Sequence, residues 1–402
     1  MKLKPIITSL LETDAYKFSM GNVIFKKFNN YITTWSFKCR NPEIKFTKEM
    51  INEITEQIQY FCFLSFTKEE LNWLKNNLPW LSEGYINFLK YWRPDFSEVY
   101  INKTEFIDNS GLSIEVKGPW FSTSMYEIPI LAIVNEVYFS FRHDIKKLTS
   151  SFKTKTEDKL YDLTDRRYEL GVFSEFGLRR RLSKNTHDWL INELCQYKDY
   201  GFIGTSNVYL AKKYNIKAVG TMAHEMGMAL MSDQKYNVAY TNERLMKIWT
   251  DEYGIKNGIY LTDLLGRDAF LADFNEKYAT LFSGVRHDSG DPIEWGNAII
   301  KHYKSLNIDP STKTLLFSDS LNFEKATNIY RYFQDKCKVA FGIGTYLTND
   351  TFVNPLNIVM KISNANGLPV CKLTDNPEKA MGKDLDYINF VKRAIKWRLN
   401  NK

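Results

Sequence analysis

Residues 314–345 read TLLFSDSLNFEKATNIYRYFQDKCKVAFGIGT. A short apolar strand, TLLF, runs into the polar SDS. A helix-compatible stretch, NFEKATNIYRYFQDK, follows, and a second strand, KVAF, ends in the small-residue run GIGT. Strand, helix and strand in this order predict a parallel βα unit. The pattern repeats upstream. FSEFGLR opens the series near 170 and precedes a polar helix. FIGTS (202–206) precedes VYLAKKYN, and IKAVGT (216–221) precedes EMGMALMS. IYLTDLL (259–265) precedes DAFLADFNEKYATL, and FSGVRHDSGD (282–291) precedes IEWGNAIIKHYKSL. Six or seven such units fit a (β/α) barrel better than a small open sheet.

The first 150 residues read differently. Strands are expected at YITTWSFKCR (31–40), GYINFLKYW (84–92) and LSIEVKGPW (112–120). A helix is expected over 127–141, because Pro129 is tolerated in a first turn. SSFKTKTEDK (150–159) is polar enough to bridge two regions or to open a helix. After the barrel pattern, LNIVMKIS, NANG and LPVCKLT (356–374) read as a hairpin, with Asn-Gly at its turn. DYINFVKRAIKWRL has helical periodicity and packs back on the body. The expected division is a smaller α+β domain over 1–150, joined by part of 350–402, and a barrel over 151–350. A hairpin and C-terminal helix occupy 351–402.

The 402 residues are 44% hydrophobic and carry a net charge of +7, enough apolar matter for a packed core. The longest aliphatic run, IPILAIV (128–134), falls far short of the roughly 20 residues of a spanning helix. MKLKPIITSLLETD lacks the apolar centre and cleavage site of a signal peptide, so a cytoplasmic location and no membrane partner are expected. Five scattered cysteines, with no CxxC pair, fit reduced thiols and no structural zinc. The positive balance fits either a lysine-rich surface or a preference for anions such as phosphorylated metabolites. No basic block carries interleaved aromatics, so nucleic acid is not an expected partner.

Position is the more informative feature. Active sites of (β/α) barrels lie at the C-terminal ends of the strands. Those ends here carry Arg179, Thr205, Ser206, His224, Asp263, Arg286, Asp288, Asp319, Gly342, Gly344 and Thr345. Arginines hold anionic oxygens, carboxylates accept from ribose hydroxyls, and small residues admit a phosphate to backbone N–H groups. The set suits a phosphorylated sugar. Each member has a plainer alternative: FGIGT as a tight turn, Asp319 as a helix cap, Asp291 before Pro292 as a helix start, His224 as a buried core histidine. Structural polar residues have no reason to collect at one end of successive strands.

LLETDAYKFSM, FSEFGLRRR, GTSN, GTMAHE, GVRHDSGDP, FSDS, FGIGT and KLTDNP occur in this order at suitable spacing. Together they resemble the nicotinate phosphoribosyltransferase family over nearly the whole chain. Leu178 stands where threonine is common, and Thr374 and Glu378 depart from the expected form of their segment. The resemblance implies an irregular α/β barrel of the type II phosphoribosyltransferases with a second, mainly N-terminal domain. It implies nicotinate, 5-phosphoribosyl 1-diphosphate and ATP as substrates, nicotinate mononucleotide and diphosphate as products, and a place in NAD salvage. Mg²⁺ would be held mainly by substrate phosphates. His224 is implied as the histidine that ATP phosphorylates, with Glu225 either tuning the ring or merely starting a helix. Phe176 and Tyr16 are implied as the two faces against the pyridine, Tyr16 from a neighbouring subunit, hence a homodimer. Arg179 and Arg286 lie near the pyridine and the diphosphate, Asp288 and Asp319 beside the ribose, and Gly342, Gly344 and Thr345 at the 5′-phosphate. Asp14 supports the Tyr16 edge, and Arg40 and Lys372 add positive charge.

The nearest competitor is nicotinamide phosphoribosyltransferase, which carries an aspartate where this chain has Ser206. A serine can donate to a carboxylate that an aspartate would repel, so Ser206 favours the acid, and the RRR run at 179–181 adds weight. Quinolinate phosphoribosyltransferase needs extra cationic residues that cannot be placed here. A non-catalytic binder of RNA or nucleotides would be indifferent to His224 and strongly sensitive to salt.

Overall fold

The computed structural model describes residues 2–102, 110–374, 382 and 384–401. Two sheets organise them. The antiparallel sheet contains β1 (Ile32–Cys39), β2 (Val99–Ile101) and β3 (Ile114–Pro119). The parallel sheet contains β4 (Val172–Glu175), β5 (Phe202–Thr205), β6 (Lys217–Ala218), β7 (Ile259–Leu261), β8 (Gly284–His287), β9 (Thr314–Phe317) and β10 (Lys338–Ile343). β11 (Ile358–Ala365) and β12 (Leu368–Pro369) return to the antiparallel sheet, whose order is β12-β11-β1-β3-β2.

The parallel sheet runs β6-β5-β4-β10-β9-β8-β7. First and last strands of the series, β4 and β10, are neighbours, with Phe341 opposite Phe173. The sheet therefore curls like a barrel and leaves β6 and β7 as its edges. Thr221 Oγ1 spans that seam and donates to the Ile259 carbonyl at 2.7 Å. Phe173, Phe317, Phe341 and Ile343 are buried between the sheet and its helices: Phe173 meets Phe323, Phe317 meets Trp295 and Phe333, and the Phe317 and Phe341 rings stack at 5.9 Å. At Gly204 a Cβ would lie 2.1 Å from the Lys217 carbonyl oxygen, so only glycine lets β5 approach β6.

Helix starts follow local chemistry. Asn207, Asp291 and Asn322 each accept backbone N–H groups of the helix they precede. Asp291 thus starts a helix, with Pro292 in its first turn. Asp319 does not cap the helix Phe323–Phe333; Asn322 does. The hairpin at Asn366-Gly367 forms as expected, with φ of 50° and 80°, and its first strand pairs with β1. The C-terminal helix is Leu385–Asn400.

Two expectations fail. GYINFLKYW is the helix Glu83–Tyr91, not a strand. Ser82 caps it, and its buried residues Tyr85, Ile86 and Leu89 recur at helical spacing, which the four aromatics of GYINFLKYW disguise as strand propensity. SSFKTKTEDK neither bridges nor opens anything. It lies inside the 20-residue helix Ile145–Thr164, which buries Leu148, Phe152, Thr156, Leu160 and Leu163 at intervals of three and four. Among the described residues no helix is long and apolar enough to cross a membrane.

Candidate active site

His224 follows the short strand β6 at the open seam, immediately before the helix Glu225–Leu230. Its Nε2 lies 2.6 Å from Asp263 Oδ1, beyond the end of β7. Its Nδ1 makes no hydrogen bond among the described residues and faces Asp288 Oδ2 at 4.0 Å, beyond the end of β8. Asp263 is 1% exposed. Its second oxygen accepts from Ser289 Oγ at 2.8 Å and pairs with Lys372 Nζ at 3.0 Å. Thr374 Oγ1 donates to Ser289 Oγ at 2.6 Å. Thr374 has a φ of 58°, an unfavourable conformation for a β-branched residue, so the Lys372–Thr374 segment is held against Asp263 at a cost. Glu378 lies outside the described residues.

The electrostatics set protonation states. Burial works against the ionised form of Asp263, but His224 and Lys372 outweigh it and hold the carboxyl well below the usual range. Asp288 is likewise kept below its ordinary value: burial opposes ionisation, and Arg286 and Lys372 overcome it. For His224, burial dominates the attraction of Asp263, and the imidazole titrates below its ordinary value. The ring is therefore neutral near pH 7, with Nε2 donating to Asp263 and a lone pair on Nδ1.

Arg286, on β8, is fixed by three contacts: Ser318 Oγ at 3.0 Å, the Met222 carbonyl at 3.3 Å and Asp288 Oδ1 at 3.2 Å. Ser318 Oγ also lies 2.9 Å from Asp288. Asp319 is the next residue, partly exposed, and accepts from Ser320 Oγ at 2.9 Å.

A second group gathers at the ends of β4 and β5. Ser206 Oγ donates to Asp14 Oδ1 at 2.7 Å, and the Tyr16 phenol bonds the same carboxyl. Burial raises the Asp14 carboxyl above its ordinary value, despite the bond from Ser206 and the nearby Arg179. This changes the reading of Ser206, whose hydroxyl proton is already committed to Asp14. Tyr16 belongs to the helix Ala15–Lys27 and sits against Gly220 and Asp14 of its own chain. Backbone bonds from Ala15 to Ser206, and the ion pairs of Lys17, hold that helix in place.

Arg179 Nη1 is 3.9 Å from Glu127 Oε1. Glu127 also pairs with Lys17 at 2.7 Å and Lys361 at 2.8 Å, and Lys17 reaches Glu225 at 2.5 Å. Glu225 additionally accepts from Trp120 Nε1 at 3.0 Å, so it starts its helix and points to this ion cluster rather than to the His224 ring. Two carboxylates are thus matched by two lysines. Arg179, Arg180 and Arg40 remain as excess charge. Among the described residues neither Arg40 nor Arg180 pairs with a carboxylate. Burial, then Arg179 and Arg40, push Arg180 down to about 10; burial, then Arg179, lower Arg40 too. Crowded, unneutralised guanidinium groups attract an anion. Arg181 is not part of this excess: it is buried and bonded to Glu12 at 3.0 Å. Leu178 is buried.

Phe176 is partly exposed, and its backbone N–H bonds Ile343 at 2.8 Å. Its ring lies on Gly342, where a Cβ would come within 2.4 Å of two ring carbons. Gly342 therefore belongs within β10, making room for Phe176, rather than in a phosphate loop. Gly344 and Thr345 stand beyond the strand, partly exposed, at the start of the short helix Thr345–Thr348. Gly342→Ala is expected to tilt the Phe176 ring and cost about 1–3 kcal/mol of overpacking. Thermal unfolding at a lower temperature, with weaker binding at the Phe176 end, checks it.

Sequence reasoning named Asp263 only as a strand-end residue, and missed Lys17, Glu127, Lys361, Ser289 and Ser318. Asp263 carried a signal, its place after IYLT. Lys17 and Glu127 carried none, because their partners are distant in sequence. A cleft of about 970 Å³ between residues 3–8 and the helices at 127–142, 145–164 and 184–194 contains none of the predicted site residues. Size alone does not make that cleft the site, since the strand-end groups do not converge there.

The sequence profile of the nicotinate phosphoribosyltransferase (NAPRTase) N-terminal domain matches residues 11–135, and that of the nicotinate phosphoribosyltransferase (NAPRTase) family matches residues 172–400. The nicotinate phosphoribosyltransferase of Ralstonia nicotianae is 41% identical over 393 residues, covering 97% of this chain and 99% of that protein. The one from Xylella fastidiosa strain Temecula1 is 38% identical over 393 residues, with 97% and 98% covered. The crystal structure of nicotinate phosphoribosyltransferase from Porphyromonas gingivalis superposes with a TM-score of 0.90 at 33% identity, covering 97% of this chain and all of that one. A putative nicotinate phosphoribosyltransferase from Saccharomyces cerevisiae gives 0.91 at 34%, with 99% of this chain and all of that one covered.

Proposed function

This chain belongs to the nicotinate phosphoribosyltransferase family, and from that premise we propose that its site joins nicotinate to 5-phosphoribosyl 1-diphosphate, releasing nicotinate mononucleotide and diphosphate, with ATP hydrolysis coupled through a phosphohistidine at His224. This is an entry step of NAD salvage. The His224 ring carries the reading: Nε2 is anchored to Asp263 at 2.6 Å, and Nδ1 faces Asp288 with no hydrogen bond among the described residues.

Arg179, with the excess charge of Arg180 and Arg40, receives the pyridine carboxylate, and Phe176 offers a ring face. The pyridine nitrogen attacks C1 of the ribosyl group as the bond from C1 to diphosphate breaks. The protein contributes positioning and charge. Asp288 and Asp319 accept from ribose hydroxyls, Arg286 neutralises the leaving group, and Gly344 and Thr345 face the 5′-phosphate. In the coupled step Nδ1 of His224 takes the terminal phosphoryl group of ATP: an N–P bond forms, the P–O bond to ADP breaks, and Asp263 stabilises the charged ring. Water later cleaves the N–P bond.

The donor set fits Mg²⁺ held mostly by phosphates. His224, Asp263 and Asp288 lie close enough to share an ion, but both Asp263 oxygens are engaged by His224 and Lys372. Asp288 is left to offer a carboxylate oxygen, and a hard cation prefers oxygen to imidazole. Bound there, Mg²⁺ would offset phosphate charge.

The amide substrate is not favoured, because the unneutralised arginines suit an acid. Ser206→Asp is expected to raise KM for nicotinate about tenfold or more, and to affect nicotinamide less, since a second carboxyl beside Asp14 forces the pair to share a proton or repel the substrate. A homodimer and a cytoplasmic location belong to the same reading. None of the five cysteines is in a disulfide, which fits a reducing compartment, and sedimentation velocity tests the dimer. The deciding experiment is a product assay with both pyridines, with and without ATP. Nicotinate mononucleotide raised by ATP supports the proposal. Preference for nicotinamide, or no product from either, overturns it.

A further inference from the structure

Glu175, the last residue of β4, is buried with no exposed surface. Its hydrogen bonds end on groups that shape the pyridine end of the site. One carboxylate oxygen accepts from the Gly177 N–H, in the turn between Phe176 and Arg179. The other accepts from Thr205 Oγ1 at 2.5 Å and lies 2.9 Å from His187 Nε2. Its backbone carbonyl accepts from Ser206 N–H at 2.8 Å. Ser206 in turn holds Asp14 at 2.7 Å, and Thr205 Oγ1 accepts from Asn207 N–H at 3.0 Å. The turn at Gly177 between Phe176 and Arg179, and Thr205 next to Ser206, therefore hang on the orientation of one carboxylate, while the same residue's backbone carbonyl holds Ser206 and, through it, Asp14.

That carboxylate must be ionised to accept from three donors, and a buried charge needs a counterpart. Among the described residues its only ion-pair partner is His187. His187 is fully buried on the helix Lys184–Leu194, and its Nδ1 has no hydrogen-bond partner. A core histidine kept only for shape would not leave a polar nitrogen orphaned, because that costs free energy an apolar residue avoids. The ring is retained for what Nε2 does to Glu175.

We propose that Glu175 and His187 form a positioning pair that sets the geometry of the pyridine subsite, and with it the affinity for nicotinate, while leaving the ribosyl subsite at β8, β9 and Thr345 alone. The inference rests on the reading that Phe176 and Arg179 receive nicotinate. Neither residue touches the reacting atoms. They act through the turn at Gly177 and through Thr205 and Ser206.

Steady-state kinetics of the full chain test it, with KM measured separately for nicotinate and for 5-phosphoribosyl 1-diphosphate. His187→Leu is expected to raise KM for nicotinate roughly tenfold to a hundredfold, the penalty of a misplaced substrate, with KM for the ribosyl substrate within about twofold. His187→Gln, whose amide N–H can still reach Glu175, is expected to recover most of the loss. If His187→Leu does not fold, Thr205→Val removes one donor to Glu175 at nearly constant shape, and the same split is expected. Equal changes in both KM values, no change in either, or no advantage of Gln over Leu overturns the proposal. If wild type makes no nicotinate mononucleotide, the functional reading fails first. If wild type turns over and the variants show no split, only the positioning pair fails.

Discussion

His224→Ala is expected to abolish the stimulation of nicotinate mononucleotide formation by ATP, reducing it to the rate seen without ATP, while the protein stays folded. Among the described residues Nδ1 of this ring makes no hydrogen bond and faces Asp288, and the nearby cation is already engaged. Lys372 is held by Asp263 at 3.0 Å, and the carboxylates are kept anionic by their cationic neighbours. ATP consumption and product formation, measured side by side, check it. The variant should also fail to retain labelled phosphate from ATP. Stimulation persisting in the variant would remove His224 from the coupling. The wild-type pH profile carries a second signature. The nucleophile is the neutral ring, and burial depresses its titration below the ordinary value of about 6.5. The stimulated rate is therefore expected to hold as pH falls to 6.5 and to decline only below it, as Nδ1 becomes protonated.

Asp263→Asn is expected to lower the ATP-stimulated kcat by roughly 10²–10⁴, the range for losing the carboxylate that orients a catalytic imidazole. The reason lies in the tautomer. Asp263 accepts from Nε2–H, which leaves the lone pair on Nδ1. An asparagine that turns its amide N–H toward Nε2 favours the other tautomer, with the proton on Nδ1 and no nucleophile facing the substrate. It also removes the charge that stabilises the phosphorylated ring and that anchors Lys372. Single-turnover phosphorylation of the enzyme, compared with nicotinate binding at equilibrium, separates the two effects. Loss confined to phosphorylation supports the assignment, and a matching loss in nicotinate binding would mean a general collapse of the pocket.

Much of this was legible along the chain. The βα periodicity from 170 to 345 predicted six or seven parallel units, and the sheet has seven strands, because each strand and each helix declares itself within about ten residues through apolar spacing, a cap and a turn. The same locality placed His224, Arg286 and Asp288 at strand ends, and Asp291 and Asn366-Gly367 in their local roles. Where local signals conflicted, the reading failed. Aromatics in GYINFLKYW imitated a strand, and the polar face of Ile145–Thr164 hid a helix whose buried side shows only at intervals of three and four.

The contacts themselves were decided by tertiary structure. Whether Ser206 meets a substrate or Asp14, whether Gly342 lines a phosphate or makes room for Phe176, and whether Glu225 faces His224 or Lys17 are matters of which side chain arrives from elsewhere in the chain. Lys17 bonds Glu225 across 208 residues, and Asp14 meets Ser206 across 192. Residue type and spacing determine which groups can carry charge, cap a helix or end a strand, since those properties are local. Pairing of buried charges is not local. It is settled only when the folded chain removes water and each ion must find a partner among the neighbours that remain.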